Sequence, residues 1–469
     1  MMNEYNKNID TLLKLPPSGG RGAVYFIGIG GIGMSALARY FNSKGVEVSG
    51  YDRKETPLTK QLGNEGIKIH YEENIDLIPK NVDVVVYTPA IPATHKELVY
   101  YRENKFLVFK RSDVLGWITA QSFNICVGGS HGKTTITTFI AHILRDSKYG
   151  SNAFLGGVSA NYNSNFWASN NKDVSVIEAD EYDRSFLKLS PDIAVVTAMD
   201  ADHLDIYGTK EELENAYIEF ASKVKPGGLL LRKYGLNRSY ELYAAHPHHL
   251  KYSFEDARAD IYSLNRTVVN GSYRFDVSYK NQIIKDFELH IGGLHNIENA
   301  VAAIAVAKWL NIDEEKIKRA VANFKGVKRR FEYYLKDDKH ILIDDYAHHP
   351  EELNALISGI RSLFSDKLTV VFQPHLYSRT KDFADEFAKA LDKADEVILL
   401  PIYPARELPM EGVTSELILN KMKLDNKRIL SKEELLKTIQ AENPRLAAFL
   451  GAGDIDELLI PVKEILEAQ

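Results

Sequence analysis

The sequence contains very little cysteine and no long apolar run. Only one of its 469 residues is cysteine, so an intramolecular disulfide is excluded and a reducing compartment is favoured. No stretch of about 18 apolar residues occurs, and the polar residues 1–14 contain no apolar secretion-signal core. We therefore expect a cytoplasmic protein with no membrane insertion.

A strong charge of one sign is also absent. The formal net charge is −6 at pH 7, with 26% charged and 45% hydrophobic residues, which is typical of a globular protein. Because no broad basic surface is indicated, we expect no nucleic-acid partner. We find no internal repeat and no low-complexity tract. A chain of this length predicts two or three domains.

A glycine-rich motif lies between an apolar segment, residues 123–127, and an apolar-periodic segment, residues 136–144. This order predicts a strand, a phosphate-binding turn and a helix, because the turn's N–H groups and the helix dipole attract phosphate. Lys133 can reach the β- and γ-phosphates of ATP, and the Thr134 hydroxyl can reach Mg²⁺. The motif is one residue shorter than a usual Walker A sequence, and the alternative is an ordinary glycine turn. The predicted ATP-binding residues are Gly128, Gly129, Ser130, His131, Gly132, Lys133, Thr134 and Thr135.

Acidic residues follow two further apolar runs in the same segment. Residues 174–177 precede Glu178, and residues 193–197 precede a polar stretch that includes His203. Ligands of open parallel sheets lie beyond the carboxyl ends of the strands, so we expect Glu178 and His203 near the glycine-rich motif. Carboxylate and hydroxyl oxygens suit Mg²⁺, whereas histidine is a less usual ligand for it. The alternative is surface acids and a solvated histidine.

A second glycine motif, residues 28–33, follows the predicted strand 23–27 and precedes a predicted helix, residues 34–44. It matches the G-x-G-x-x-G nucleotide fingerprint, and Asp52 stands about 20 residues beyond it, where it can hold a ribose hydroxyl. The motif alone does not distinguish NAD, FAD and a UDP-sugar. A second predicted strand, residues 46–51, ends at Asp52. A third, residues 82–87, leads into a loop at the carboxyl edge of the same sheet.

The last third of the chain alternates predicted strands with predicted helices, which indicates a second parallel sheet. The strands are residues 341–343, 368–372, 396–400 and 446–450, and the helices are residues 351–363, 382–391 and 433–440. Every strand is followed by a polar segment, which favours a substrate site at that edge. Residues 252–293 alternate apolar and polar side chains, and Asn270 with Gly271 forms a hairpin signal, so we expect an antiparallel addition to the central sheet.

Together these segments resemble the Mur ligases, the ATP-dependent amide-forming enzymes of peptidoglycan synthesis. The resemblance rests on residues 28–35, 129–135, 178–185, 202–205, 295–299, 329–332, 344–350, 373–380 and 403–407. It implies an α/β fold of three domains. These are a Rossmann-like UDP-sugar-binding domain over residues 1–119, a central P-loop ATPase domain with a mixed sheet over residues 120–325, and a C-terminal Rossmann-like amino-acid-binding domain over residues 326–469.

Within the family, the motifs are most similar to those of the members that join L-alanine to UDP-N-acetylmuramate. The resemblance implies that ATP phosphorylates the carboxylate of UDP-N-acetylmuramate, and that the amine of L-alanine attacks the resulting acyl phosphate. Mg²⁺ would act together with ATP. The substrates would be ATP, UDP-N-acetylmuramate and L-alanine, and the protein would be a monomer or homodimer.

The resemblance also implies roles for individual residues. For the UDP-sugar it implies Gly28, Gly30, Gly31, Gly33, Ser35, Asp52, Thr88, Pro89 and Ala90. For catalysis it implies Lys133, Glu178 and His203, and for the metal it implies Thr134, Glu178 and His203. Further ATP contacts would come from His295, Asn296, Arg330 and Asp345. The amino acid would bind Tyr346, His348, His375 and Arg379, with Arg379 as the partner of its carboxylate.

One position departs from the family pattern, because many relatives carry a second arginine where this chain has Leu376. The carboxylate pocket would then be looser, or Arg406 would contribute to it. Three other functions stay open at this point. They are a related ligase that reattaches a recycled tripeptide to UDP-N-acetylmuramate, an NAD-dependent dehydrogenase, and a nucleotide-binding switch protein.

Overall fold

The computed structural model describes residues 22–169, 172–200, 204–269, 271–405 and 407–469, with only the backbone at 204 and 205. The described residues form sheets of five, ten and six strands. They fall into two compact units. The first takes the described residues up to Leu264, with Val277–Ile284 and Glu298–Val321, and the second takes Asn265–Asp276, Lys285–Ile297 and Ala322–Gln469. In the described ranges, no helix is long and apolar enough to cross a membrane.

The N-terminal sheet has five parallel strands in the order β3-β2-β1-β4-β5. The strands are β1 Ala23–Ile27, β2 Glu47–Tyr51, β3 Lys68–His70, β4 Val84–Tyr87 and β5 Val108–Lys110. The helices are α1 Ile32–Ser43, α2 Pro57–Asn64, α3 Lys96–Glu103 and α4 Arg111–Gln121. Strand β1 is apolar throughout because it is buried on both faces: Val24 packs in a cluster with Leu37 of α1, and Tyr25 packs in another with Leu98 of α3.

The central sheet has ten strands in the order β15-β14-β13-β12-β11-β10-β6-β9-β7-β8. The strands are β6 Phe123–Gly128, β7 Asn152–Ser159, β8 Ser164–Trp167, β9 Val174–Glu178, β10 Ile193–Val196, β11 Leu229–Lys233, β12 His249–Ser253, β13 Ile261–Val269, β14 Ser272–Tyr279 and β15 Gln282–Leu289. The helices are α5 Lys133–Asp146, α6 Leu204–Tyr207, α7 Lys210–Ser222, α8 Ser239–Ala245, α9 His295–Trp309 and α10 Glu314–Asn323. Strand β6 runs parallel to both of its neighbours, β9 and β10. The carboxyl ends of these three strands therefore meet.

Helix α1 of the N-terminal domain packs against β7 and β8 of the central sheet, within the first unit. The Tyr40 ring lies 5.3 Å from the Phe154 ring and 6.2 Å from the Phe166 ring, measured between centroids. Every residue from Met34 to Phe41 is buried. The helix is thus covered on the side of its own sheet and on the side of the central sheet.

The C-terminal sheet has six strands in the order β16-β17-β21-β18-β19-β20. The strands are β16 Glu332–Lys336, β17 Ile341–Asp345, β18 Leu368–Phe372, β19 Glu396–Leu399, β20 Lys427–Ile429 and β21 Leu446–Leu450. The helices are α11 Pro350–Leu363, α12 Tyr377–Asp382, α13 Ala384–Leu391, α14 Glu416–Leu419, α15 Lys432–Glu442 and α16 Leu459–Glu467. All neighbours are parallel except β16, which pairs antiparallel with β17 at one edge. The sheet is thus mixed, and the prediction of a purely parallel sheet missed this edge strand.

Candidate functional site

The glycine-rich motif connects β6 to α5 and is fixed against the end of β10. The backbone of Gly129 has a φ of +139°, and a Cβ there would lie 2.0 Å from the Thr197 hydroxyl oxygen, so only glycine fits. The Thr197 hydroxyl donates to the His131 carbonyl at 2.5 Å, and Ser130 N donates to the Ala198 carbonyl at 3.3 Å. The loop therefore has a defined shape that its neighbouring strand holds in place.

Lys133, the first residue of α5, reaches back across this loop. Its Nζ donates to the Gly129 carbonyl at 2.6 Å and to Glu181 Oε1 at 2.7 Å. The side chains of Lys133 and Glu181 are 15% and 1% exposed. Sequence reasoning did not single out Glu181, although it lies in the acidic segment that follows β9. Its carboxylate fixes the position of the lysine charge inside the loop.

Thr134 and Glu178 come together at the start of α5 and the end of β9. The Thr134 hydroxyl donates to Glu178 Oε1 at 3.1 Å, and Gly156 N donates to Glu178 Oε2 at 3.0 Å. A hydroxyl and a carboxylate held side by side are suitable ligands for Mg²⁺. Among the described residues, there is no group of three or more His, Cys, Asp or Glu side chains that could hold a metal ion. His203, the third predicted ligand, lies outside the described residues.

A cavity of about 310 Å³ lies beside Glu178 in the first unit. The backbone of Gly31 and Gly33 borders it from the N-terminal domain, and Gly156 borders it from the central domain. Arg111, the first residue of α4, also borders the cavity and faces Asp180 at 3.4 Å. Sequence reasoning missed Arg111, although its place directly after β5 is the signal that marks ligand residues in such sheets. The cavity therefore lies between the N-terminal glycine turn and Glu178, the predicted metal ligand.

The N-terminal glycine turn is bonded to the end of β2 and to the residue that follows it. Gly30 N donates to Asp52 Oδ2 at 2.7 Å, and Gly28 N donates to the Tyr51 carbonyl at 2.8 Å. A Cβ at Gly28 would approach Thr88 Cγ2 to 2.8 Å, so the turn and the loop after β4 are in close contact.

The other predicted UDP-sugar residues differ in exposure. Pro89 and Ala90 are exposed on the loop after β4, whereas Ser35 is fully buried. The Ser35 hydroxyl donates to the Ile32 carbonyl at 2.9 Å. Pro89 and Ala90 can therefore meet a ligand directly, while the Ser35 side chain has a partner inside the protein.

In the second unit, Asp345 at the end of β17 holds the backbone. Its two carboxylate oxygens accept hydrogen bonds from Phe331 N and Ala347 N, both at 2.7 Å. Burial raises the pKa of Asp345 to about 6, and these backbone hydrogen bonds oppose the rise. Arg330, in contrast, is exposed to solvent. Of these two predicted ATP residues, only Arg330 presents a side chain that is free to meet a phosphate.

Arg329, which sequence reasoning did not select, contacts two strand ends of the C-terminal sheet. It has a φ of +58°, and its Nη2 donates to the Gly451 carbonyl at 2.6 Å. Its Nε lies 3.5 Å from Asp344, whose pKa is raised by burial to about 7 although Arg329 opposes the rise. The guanidinium also lies 5.1 Å from the centre of the Tyr346 ring. Arg329 thus supports one wall of the predicted amino-acid pocket.

The predicted ATP residues His295 and Asn296 stand at the start of α9. Asn296 is buried and its Nδ2 donates to the Gly292 carbonyl at 2.6 Å, whereas His295 is exposed. Helix α9 therefore presents the histidine outward and uses the asparagine to close the turn that precedes it.

The four predicted amino-acid residues lie together at the carboxyl edge of the C-terminal sheet. The His348 ring lies 5.3 Å from the Tyr346 ring and 5.9 Å from the His375 ring. Burial lowers the pKa of His348 and His375, and the charge of Arg379 acts in the same direction. Both shifts favour the neutral form of the two rings.

Arg379 offers an unused donor to this pocket. Its Nη1 is buried and has no hydrogen-bond partner among the described residues, and the same holds for His375 Nδ1. Within the described part of the chain, Arg379 forms no ion pair, and Asp385 pairs instead with Lys421 at 2.7 Å. A buried guanidinium donor without a partner is costly, so the pocket suits an incoming anion.

The backbone is unusual at Leu376, directly before α12, the helix that carries Arg379. Leu376 has a φ of +70°, and its N–H donates to the Tyr403 carbonyl at 3.0 Å. Ser378 N donates to Glu407 Oε2 at 3.0 Å, which ties the start of α12 to the segment after β19. Glu407 belongs to the segment 403–407 that carries the family resemblance, but no role was predicted for it. Arg406, the suggested second arginine, lies outside the described residues.

Three family models match successive parts of the chain. The Mur ligase family catalytic domain matches residues 23–123, the Mur ligase middle domain matches residues 127–307, and the Mur ligase glutamate ligase domain matches residues 329–453. The chain belongs to the Mur ligase family. The α/β fold class with three domains is confirmed, and the exact domain boundaries stay a prediction, the first of which falls inside α4.

Individual Mur ligases resemble the chain over nearly its full length. It is 47% identical to the UDP-N-acetylmuramate–L-alanine ligase of Porphyromonas gingivalis over 451 residues, which are 95% of this chain and 99% of that protein. It is 48% identical to the enzyme of that name from Flavobacterium johnsoniae, over 94% of this chain and 97% of that protein. The solved UDP-N-acetylmuramate–alanine ligase of Thermotoga maritima has a TM-score of 0.79 and 28% identity, covering 95% of this chain and 98% of that one. A murein peptide ligase of Psychrobacter arcticus shares the fold, with a TM-score of 0.65 and 21% identity over 95% of this chain and 98% of that one.

Proposed function

We propose that this Mur ligase joins L-alanine to the carboxylate of UDP-N-acetylmuramate with hydrolysis of ATP to ADP and phosphate, in peptidoglycan precursor synthesis. The observation that carries the proposal is the 47% identity to an L-alanine ligase over 95% of the chain. The murein peptide ligase that shares the fold is only 21% identical, so a tripeptide acceptor is not favoured. A dehydrogenase or a switch protein would leave the polar pocket of the C-terminal sheet without a role.

In the proposed reaction, Lys133 stabilises negative charge between the β- and γ-phosphates of ATP. Phosphoryl transfer between two anions depends mainly on positioning and on positive charge. The lysine is already held by Glu181 and the Gly129 carbonyl, so little reorganisation is needed when phosphate arrives. The carboxylate of UDP-N-acetylmuramate takes the γ-phosphoryl group, ADP leaves, and an acyl phosphate forms. The amine of L-alanine then attacks the acyl carbon, phosphate leaves, the amine nitrogen loses a proton, and an amide remains.

We assign the metal site to Thr134 and Glu178, with His203 as a further ligand. Mg²⁺ would neutralise phosphate charge there. Gly156 N holds one oxygen of Glu178 and leaves the carboxylate pointing at Thr134. The assignment is supported by the hydrogen bond that holds the Thr134 hydroxyl beside the Glu178 carboxylate.

We assign the UDP-sugar to the glycine turn that follows β1 and to the cavity beside it. The order β3-β2-β1-β4-β5 reverses direction between β1 and β4, where open α/β sheets bind their ligands. Arg111 adds a positive charge at this place, which suits a diphosphate or a carboxylate.

The reaction can be tested by phosphate release. We expect release from ATP only when UDP-N-acetylmuramate and L-alanine are both present, together with Mg²⁺. Release without the amino acid would favour a nucleotide-hydrolysing switch, and release that needs a tripeptide instead of alanine would favour the recycling ligase.

Gly30→Val is expected to raise KM for UDP-N-acetylmuramate by about tenfold or more and to leave KM for ATP near the wild-type value. A Cβ at Gly30 would lie 2.7 Å from Thr59 Cγ2 and 2.8 Å from Asp52 Oδ2, so the larger valine side chain must displace the turn. Steady-state kinetics with each substrate varied would measure this. Tight binding of NADH by the wild-type protein, seen by calorimetry, would instead favour a dehydrogenase.

Arg379→Lys is expected to raise KM for L-alanine by roughly tenfold, which corresponds to about 1.4 kcal/mol, with KM for ATP little changed. The methyl of alanine contributes only about 1 kcal/mol, so a forked contact to its carboxylate must supply much of the affinity. Lysine keeps the positive charge but cannot donate two parallel hydrogen bonds to the carboxylate. If KM for ATP rises instead, Arg379 belongs to the phosphate site, and if no Michaelis constant changes, it is a surface arginine.

A further inference from the structure

Asn165, in strand β8 of the central sheet, contacts the first turn of α1 in the N-terminal domain. Its Nδ2 donates to the Ile32 carbonyl at 2.6 Å and to Ser35 Oγ at 2.9 Å. Asn165 and Ser35 are both fully buried. Helix α1 has no capping side chain of its own, because Gly31 stands at its N-cap. The turn after the glycine fingerprint is therefore held by a side chain from the neighbouring domain.

Arg39 fixes the orientation of the Asn165 amide. One guanidinium nitrogen of Arg39 donates to Asn165 Oδ1, and its Nε donates to Glu65 Oε2 at 2.8 Å. Because a guanidinium can only donate, Oδ1 must face Arg39 and Nδ2 must face α1. The Arg39 side chain is only 4% exposed. The amide thus has one possible orientation, and its donor group points at the helix start.

We propose that Asn165 is a positioning residue for UDP-N-acetylmuramate. It does not border the cavity of about 310 Å³, whereas the backbone of residues 31–33 does. Backbone N–H groups at a helix start bind a diphosphate well only when they are held in place before the ligand arrives. Asn165 supplies that restraint. The inference rests on the proposed function, because it takes the ligand of the glycine turn to be a UDP-sugar.

The competing explanation is that Asn165 only joins two domains. Gln61 of α2 provides a matched control, because its Nε2 donates to the Asn163 carbonyl at 3.2 Å. This bond links the same two domains without reaching the first turn of α1. A general weakening of the domain contact would follow from either substitution, whereas a loss of positioning would follow only from a change at Asn165.

Asn165→Asp is the sharpest test. The carboxylate is nearly the same shape and still accepts from Arg39, but it cannot donate to Ile32 or Ser35. We expect KM for UDP-N-acetylmuramate, and its Kd from calorimetry without ATP, to rise about tenfold. KM for ATP and KM for L-alanine should stay within twofold of wild type. Asn165→Ala should act in the same direction and serves if the aspartate variant does not fold, and Gln61→Ala should change none of these constants.

Three results would overturn the inference. They are an unchanged Kd for UDP-N-acetylmuramate in both Asn165 variants, an equal rise in all three Michaelis constants, and a rise of the same size in Gln61→Ala. A wild-type protein that does not bind UDP-N-acetylmuramate would instead refute the proposed function. The two failures are therefore distinguishable from the wild-type titration alone.

Discussion

Lys133→Ala is expected to lower kcat by about 100- to 1000-fold while the protein stays folded. The Lys133 ammonium lies 2.7 Å from Glu181 Oε1 and is directed into the glycine-rich loop, where the phosphates of ATP are expected. Alanine removes the positive charge that we assign to the β–γ bridge of ATP. Phosphate release at saturating substrates measures kcat, and circular dichroism measures the fold.

Two further variants make this prediction sharper. The substitution removes the cation that pairs with the buried Glu181. The Glu181 carboxylate is then left without this counter-charge, which lowers the stability of the fold. The double variant Lys133→Ala/Glu181→Gln should recover part of that stability and remain inactive. Lys60→Ala, at an exposed lysine, should leave kcat unchanged. A Lys133→Ala protein that keeps more than about a tenth of the wild-type kcat would contradict the assigned role.

Gly156→Ala is expected to lower kcat by about 100-fold with little change in thermal stability. A Cβ at this position would lie 2.2 Å from Glu178 Oε2 and 2.3 Å from Oε1, so the carboxylate must move away. Moving the end of a flexible side chain costs the fold little. The metal site loses the orientation of its proposed ligand, so the concentration of Mg²⁺ needed for half-maximal activity should rise as well.

Gly63→Ala is the matched control for that substitution. Gly63 lies in α2, and a Cβ there would meet nothing within 4 Å. Alanine should stabilise the helix by about 0.5–1 kcal/mol and leave kcat and the Mg²⁺ dependence unchanged. Wild-type activity in Gly156→Ala would show that Glu178 is not needed where the metal is assigned.

The elements that the sequence predicts best are buried parallel strands. Strands β1, β18 and β21 have the predicted bounds, because continuous apolar runs between turn residues leave little choice. Helix α5 begins at Lys133, three residues before its apolar pattern, because the left-handed backbone of Gly132 ends the loop there. A helix whose first turn is polar or rich in threonine shows no apolar periodicity there, so its first residue is hard to predict from the sequence. Asn270 of the predicted hairpin lies outside the described residues. The strands on either side of it, β13 ending at Val269 and β14 beginning at Ser272, are neighbours in the sheet.

The site could be predicted where a motif is local and not where it depends on packing. The glycine-rich loops and Glu178 follow strands directly, so their neighbourhood can be deduced from the strand order alone. Asn165 and Arg329 carry no such signal, because their partners are distant in the sequence. The family resemblance is what predicts Asp345 as an ATP contact. Its two backbone partners become visible only when the loops around it are known.

The single cysteine, Cys126, has a practical consequence for experiments on this enzyme. It lies in β6 with no exposed surface, its Sγ contacts Asn124 Oδ1 at 3.1 Å, and burial raises its pKa. Thiol reagents attack the exposed thiolate, so this residue should not react in the folded protein. A pair of cysteines introduced on the surface, one in each compact unit, could therefore be dye-labelled without removing Cys126. Energy transfer between the two dyes would then report the distance between the units as each substrate is added.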